Sequence, residues 1–532
     1  MTHSSDGFLS HLSERLSDDS KGGLANNDIK DILSSVEQLK NFMSSQRKLL
    51  VPFATIEDFT DVLVANSAPL IPNAQSCSDP VKSADHKNMI DSPKQAVESA
   101  LKRITSSPRK NLLWMSIFET EAQQCAQLLD EKEKQQRGVL YGYTIGLKDM
   151  VSNVGHVSGW GAKSPAIEKA ATEDAEIVKK LKKADAVILG TLHMAEFALS
   201  PTGLNEWHGL GRSPINDNYI SGGSSSGSGM AVAAGHVTAT IGSDTGGSIR
   251  LPAACCSAVG LKATQGLISV KGVMPLSPSL DCIGPIARSV TDCANVFFAL
   301  TANNSSDCLI GEALLENTDP ADCIVSIPAF VESNNLSITM LQALNDVEQE
   351  LRSMGVKVIE VPMPDLERSG LLSSVVLSVE ATSYHQQRLQ ESPELYGRQV
   401  LRRLSRGFGL SGIDYYDALR LRGPVLEEFL KNNLQGAHAL LLPTMPDMPL
   451  LVSQTVDREQ AVLEKEFSAL SWWTRGINFL GVPAISIPVS QSKEGLPLSI
   501  QLVGAPYGEM NILRLARLLE KQLSLTTQEN QF

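Results

Sequence analysis

Three short stretches carry the residue types that hydrolytic chemistry needs. Gly142-Tyr143-Thr144-Ile145-Gly146-Leu147-Lys148-Asp149 delivers a lysine to the end of an apolar, strand-like run. Downstream, Gly222-Gly223-Ser224-Ser225-Ser226-Gly227 and Asp244-Thr245-Gly246-Gly247-Ser248-Ile249-Arg250 are glycine-serine turns on either side of the helix-like Met230–Ala234 and the strand-like Val237–Ile241. Glycine permits positive φ and close approach of other groups. A hydroxyl at such a turn can therefore face a cavity while neighbouring N–H groups stay free to hold an anion. Serine is a poor nucleophile until a base takes its proton. A lysine can be that base only when neutral, and at a reference pKa of about 10.4 only about one in 2,500 is neutral at pH 7, a cost of roughly 4.6 kcal/mol. Burial lowers a lysine pKa by desolvating the ammonium, and Ile145, Leu147 and Met150 make an apolar setting for Lys148.

Other readings of these residues exist. The string SGGSSSGSG has the composition of a flexible linker, yet apolar helix-like and strand-like segments follow it at once. Gly223–Gly227 fits G-x-S-x-G, the nucleophile elbow of α/β-hydrolases, which needs a strand before it and an acid and then a histidine after it. Arg212–Tyr219 is turn-like instead, and no histidine follows His438. An isolated Lys148-Asp149 pair would be an ordinary surface ion pair.

Taken in order, Lys148, the GGSSSG turn and the DTGGSIRLP turn resemble the amidase signature family. That resemblance implies a Ser–cis-Ser–Lys triad: Lys148 as base, Ser224 following a cis Gly223–Ser224 bond as relay, and Ser248 as nucleophile. It also implies an oxyanion hole from the backbone of Thr245, Gly246, Gly247 and Ser248. Asp244 and Arg250 are implied as charged supports, and Ser225 as a hydrogen-bonding residue of the site. The pattern continues through Ala258–Thr264, Ser279–Pro285, Leu440–Thr444, Asn478–Ala484 and Gly495–Gly504, so the resemblance runs from about Ser92 to Leu523. Thr144, Ser213 and Ala263 depart from the family's usual Pro, Asn and Pro.

The elements that must position these residues alternate helix and apolar strand. Pro93–Arg103, Glu119–Gln136 and Ala175–Lys183 read as helices, Ala186–Gly190 as a buried strand, and Cys323–Ile327, Ser337–Met354 and Val356–Val361 as a strand–helix–strand unit. This alternation predicts an α/β fold, a mixed β-sheet core covered by helices on both faces. Residues 1–90 read as an N-terminal helical extension with a linker at Pro69–Pro93, and 91–525 as the catalytic domain. Ile29, Ile32, Leu33, Val36, Leu39 and Met43 form a helical stripe that would serve either core or an interface in a homodimer.

Composition bounds the function. The net charge of −13 argues against nucleic acid or an anionic membrane as partner. No stretch approaches 18 apolar residues, and no signal peptide is evident. The eight cysteines include no C-x-x-C pair, so reduced thiols in the cytoplasm are expected. The nine histidines lack metal-ligand spacing, and there is no phosphate-binding loop, so neither metal nor cofactor is expected. The resemblance implies a hydrolase that cleaves a carbon–nitrogen amide bond through an acyl-enzyme, with water and a small amide, anilide, carbamate or urea-type compound as substrates. Two alternatives remain: the glutaminase subunit of a tRNA-dependent amidotransferase, or an inactive docking receptor of the same fold. Glutaminase subunits usually read Tyr-Gly-Arg-x-Ser-Arg where this chain has Gln265–Val270. The substrate pocket is expected between about residues 195–210 and 375–475.

Overall fold

In a computed structural model, which describes residues 26–47, 55–66, 92–163, 169–302, 315–330, 336–456 and 460–523, the apolar runs become strands of one sheet. In chain order these are β1 (Trp114–Ile117), β2 (Thr144–Lys148), β3 (Val187–Leu192), β4 (Ala239–Asp244), β5 (Val259–Lys262) and β6 (Cys282–Ala287). They continue as β7 (Ile324–Pro328), β8 (Lys357–Val361), β9 (Ala439–Pro443), β10 (Ala484–Gln491) and β11 (Pro497–Val503). The spatial order is β1-β3-β2-β4-β6-β5-β10-β11-β9-β7-β8. β2 runs parallel to β3 and β4, and β7 parallel to β8 and β9. The remaining pairs are antiparallel, so the sheet is mixed as expected.

Every residue of β2, β3 and β4 is buried. Such strands are covered on both faces, which is why they read as continuous apolar runs and not as alternating ones. Successive side chains point to opposite faces. Ile145, Leu147 and Ile241 join one core with the helices Val290–Thr301, Ile338–Ser353 and Glu509–Gln522. Leu189, Leu192 and Ile286 join the other with Pro93–Ser106, Glu119–Asp130 and Ser226–Ala233.

Two boundaries differ from expectation for identifiable reasons. The helix expected over Glu119–Gln136 stops at Asp130, and only a 3-10 turn forms over Lys134–Gln136. Glu131–Gln136 favours helix intrinsically but has no apolar face to bury, and burial supplies most helix stability. The helix after the first serine turn begins at Ser226, inside the turn itself. Its glycines hide it from propensity; tertiary packing overrides that weak prior. Among the described residues, no helix is long and apolar enough to cross a membrane.

The N-terminal stripe is core except at Leu33, which is 40% exposed, and Ile29, which is partly buried. Within the helix Asn26–Gln46, Ile32, Val36, Leu39 and Met43 are buried inside the chain. Asp28 lies between Arg398 and Arg402, and Arg47 pairs with Asp414 and Asp417 at 2.5 and 2.7 Å. Phe59, from the helix Glu57–Ala65, sits 3.8 Å beneath the Arg422 guanidinium. The proposed linker Pro69–Pro93 falls outside the described residues as far as residue 91.

Removing a partner from a buried ion pair is costly because the remaining charge stays desolvated. Arg402 is 1% exposed but would keep Glu464 and Asp31 at 3.2 and 3.3 Å, so Asp28→Ala is expected to lower the unfolding free energy by about 2 kcal/mol. Arg47 is 38% exposed, and although Asp414 and Asp417 are buried they keep Ser411 and Arg420, so Arg47→Ala should cost about 1 kcal/mol. Urea unfolding of both variants checks the contrast.

Candidate active site

Lys148 ends β2, an interior strand flanked by β3 and β4, and its side chain is fully buried. Its Nζ lies 2.7 Å from Ser224 Oγ and 2.8 Å from Ser243 Oγ. Burial lowers the amine to about 7, against the opposing pull of Asp281 and Asp244. Asp149 faces elsewhere: its carboxylate accepts from Gly159 N–H at 2.9 Å, and burial raises it to about 7. The surface-pair reading of Lys148-Asp149 therefore does not hold.

Ser243 went unnoticed in the sequence. Its hydroxyl donates to Met150 Sδ at 3.2 Å, so its oxygen is left to accept from Lys148. In a neutral lysine this fixes one N–H on Ser243 and leaves the lone pair for the Ser224 hydroxyl. Ser243 is reached because β4 runs beside β2, Leu147 being paired with Ile241.

The two serine turns are tied together. The Gly223–Ser224 peptide is cis, as the resemblance implied. Ser225 N–H donates to Ser248 O at 3.3 Å, and Ser225 Oγ accepts from Ser243 N–H at 3.3 Å. Ser225 is itself fully buried, and no strand leads into it, which disposes of the nucleophile-elbow reading. His193 contacts Ser226 Oγ at 2.7 Å and Gly209 O at 3.1 Å, and burial lowers its imidazole to about 4. The neutral ring thus donates to the carbonyl and accepts from Ser226, holding the first turn.

The second turn hangs on a buried ion pair. Asp244 accepts from Arg250 Nε and Nη2, both at 3.0 Å, and from Asn478 Nδ2 at 2.9 Å. Arg250 also donates to Gln501 at 2.8 Å and to Asn478 Oδ1 at 2.6 Å. Burial opposes the carboxylate's charge, but the Arg250 guanidinium and these hydrogen bonds hold Asp244 well below the usual carboxylate range. Gly247 N–H is donated to Asp244 Oδ1 at 2.7 Å, so it is spoken for. Among the described residues the N–H groups of Thr245, Gly246 and Ser248 have no acceptor. Gly247 has φ +123°, and a Cβ there would overlap Thr474, so only glycine fits. Thr245 Oγ1 is fixed at 2.6 Å on Asp281, which also accepts from Leu276 and Ser277 N–H. Asn478, Gln501 and Asp281 were visible as motif residues without a role.

Ser248 is half-buried and lines a cavity of about 150 Å³ together with Thr245 and Gly246. The far wall comes from Leu366–Glu391, Arg398–Ser405, Arg406–Gly409 and Trp472–Leu480, within the expected 375–475 window but for its first residues. Ser248 Oγ makes no hydrogen bond to a described residue; among them Ser224 bonds only Lys148 through its hydroxyl. No three His, Cys, Asp or Glu side chains among the described residues converge as metal ligands.

Fold and site together define a class of α/β enzymes that set a buried lysine and two glycine-serine turns on one mixed sheet. Residues 95–513 match the family described as Amidase, and the chain belongs to it, a family of hydrolases acting on carbon–nitrogen amide bonds. The second glutamyl-tRNA(Gln) amidotransferase A-type subunit of Clostridium acetobutylicum is 32% identical over 415 residues, covering 72% of this chain and 86% of the relative. An inhibitor-bound vestigial complex bearing on the origins of an s-triazine catabolic enzyme matches with TM-score 0.73 and 26% identity, over 81% of this chain and 95% of that one. A crystal structure of an amidase matches with TM-score 0.70 and 30% identity, over 81% and 96%.

A neutral amine is the basic form, so activity should rise with pH and be lost as pH falls through the apparent pKa of the coupled lysine–serine unit. That midpoint is expected near the Lys148 value of about 7. Lys148→Arg should stay inactive, because a guanidinium remains protonated. Ser243→Ala removes an acceptor that favours the ammonium, so its profile should shift to lower pH while kcat falls about tenfold. An unshifted profile would leave Ser243 without a positioning role.

Proposed function

We propose that the chain hydrolyses a small amide through a covalent acyl-enzyme on Ser248. The observation that carries this reading is Lys148, buried, with its amine near neutrality and 2.7 Å from Ser224. Ser248 Oγ attacks the carbonyl carbon as its proton passes to Ser224 and the Ser224 proton passes to Lys148. The developing oxyanion is met by the free N–H groups of Thr245, Gly246 and Ser248; one such donor is worth on the order of 10²–10³ in rate. Collapse breaks the C–N bond, and Lys148 returns the proton through Ser224 to the departing ammonia or amine. Water then attacks the ester by the same route and releases the acid. Residues 91–525 would form the catalytic domain and residues 1–90 a supporting extension, in a cytoplasmic enzyme without cofactor.

One finding favours a second reading. The curated relatives at 30–32% identity are A-type amidotransferase subunits, so this chain would hydrolyse glutamine as part of a larger assembly. Against it stands Gln265–Val270, which lacks the basic residues of the glutaminase motif.

Mass mapping of a fluorophosphonate adduct is expected to find it on the peptide carrying Ser248. An adduct on Ser225 would defeat the mechanism. Ammonia or amine release from primary amides, anilides, carbamates, ureas and glutamine then separates the readings: turnover of glutamine alone supports the amidotransferase reading, and turnover of the others supports a free-standing amidase.

A further inference from the structure

We propose that Glu380 is a positioning residue for the oxyanion donor Thr245, which it holds in place through the loop Leu276–Asp281. The proposal rests on Ser248 acting as the nucleophile and on the Thr245 N–H group meeting the oxyanion.

Glu380 belongs to the helix Leu366–Glu391 and stands in sequence between Ser378 and Ala381, which line the cavity. Its carboxylate accepts four hydrogen bonds: from Ser277 O–H and Ser279 N–H on Oε2 at 2.6 and 3.1 Å, and from Ser279 O–H and Tyr415 O–H on Oε1 at 2.5 and 2.8 Å. An ionised carboxylate only accepts, with room for about four donors, so the set matches the group.

The loop that Glu380 grips is closed on itself. Leu280 and Asp281 N–H both donate to Ser277 O at 2.8 Å. In return Asp281 Oδ2 accepts from Leu276 and Ser277 N–H at 2.9 and 3.0 Å. A loop bonded in this way moves as one piece. On one side Asp281 Oδ1 accepts from Thr245 Oγ1 at 2.6 Å; on the other, Glu380 holds Ser277 and Ser279. Arg422 and Gln265 also bind the loop, at Ser279 O, but neither lines the cavity. Thr245, Leu276 and the helix on both sides of Glu380 do line it. Glu380 is therefore the joint between the helical wall and the turn that carries the oxyanion donor.

A donor stabilises an oxyanion only when it is placed within hydrogen-bond distance of the oxygen as the charge develops. A small misplacement transmitted from outside the chemistry can lower the rate by large factors. What Glu380 supplies is acceptance at two fixed points, not charge. A glutamine of the same length can accept from Ser277 O–H and Ser279 N–H on its oxygen. Its amide can donate to the hydroxyls of Ser279 and Tyr415, which accept as well as donate. Alanine can do neither.

The test is fluorophosphonate labelling of Ser248, in which the phosphoryl oxygen takes the oxyanion's place, resolved into the encounter constant KI and the rate at saturation, kinact. Glu380→Ala is expected to lower kinact by at least about tenfold, part of the loss from removing a donor outright, with KI within about threefold of the wild type. Glu380→Gln should label within about threefold of the wild type. Asp281→Asn should also slow labelling, and adding Glu380→Ala to it should slow it less than about threefold further, since residues linked in one network are not additive. If Glu380→Ala does not fold, the double variant Ser277→Ala/Ser279→Ala removes two of the loop's bonds to the same carboxylate and leaves the helix intact. A fall in kinact of at least about fivefold is then required of it. A folded Glu380→Ala protein that labels like the wild type, a Glu380→Gln protein as slow as Glu380→Ala, or additive losses with Asp281→Asn would overturn the positioning role. Failure of the hydrolase reading shows differently: the wild type itself then carries no adduct on Ser248, and the proposal falls with it.

Discussion

Everything near the cavity follows from keeping one lysine dry. Neutralising a free lysine at pH 7 takes roughly 4.6 kcal/mol, and no neighbouring base could supply it without itself becoming charged. The chain meets the requirement with its most buried architecture. β2 lies between two parallel neighbours, all of whose residues are buried, so Lys148 has nowhere to reach water. Two hydroxyls at 2.7 and 2.8 Å satisfy the amine without offering it a counter-charge. Asp281 and Asp244 pull its pKa upward but are committed elsewhere, to backbone N–H groups and to Arg250. A carboxylate in place of Ser243 would hold the lysine as an ammonium.

The same interior holds a full charge a few residues away, by the opposite device. Asp244 and Arg250 are both fully buried and paired, with Gln501, Asn478 and the Thr474 carbonyl taking up the remaining donors. A buried pair of this kind is weak evidence for added stability. Its effect here is geometric: one carboxylate gathers Gly247, Ile249 and Arg250 N–H groups, while among the described residues the neighbouring N–H groups of Thr245, Gly246 and Ser248 have no acceptor. The pair also reaches β11 through Gln501, fixing the turn to a strand well across the sheet from β4.

How much of this was legible in the sequence depended on whether a role was local. Lys148, Ser224, Ser248 and the Asp244–Arg250 turn were legible because their motifs, in that order, resemble the amidase signature family. Ser243 carries no such signal: it is one serine in a strand, and only the parallel pairing of β2 with β4 brings it to the lysine. Asn478 and Gln501 lie more than 200 residues from Asp244 along the chain and meet the Asp244–Arg250 pair only after the sheet is complete. The sheet itself was legible as class but not as order, since strand order is set by crossovers that leave no periodic trace. Gly247 shows the converse, a residue whose type was read correctly as turn-forming while its N–H proved to be held by Asp244.

The N-terminal helix gains its meaning from the cavity's charge. Arg398, Arg402, Arg403 and Arg406 crowd one stretch of helix and turn, a density of cations that would repel itself if left alone. Arg398 and Arg402, four residues apart, share one face and meet Asp28 there. Arg403, on the adjoining face, is turned to the cavity. By pairing the outer face, the first described helix leaves Glu464 to pair Arg406 and to act at longer range on Arg403. Its buried stripe of Ile32, Val36, Leu39 and Met43 fixes the register that puts Asp28 in place.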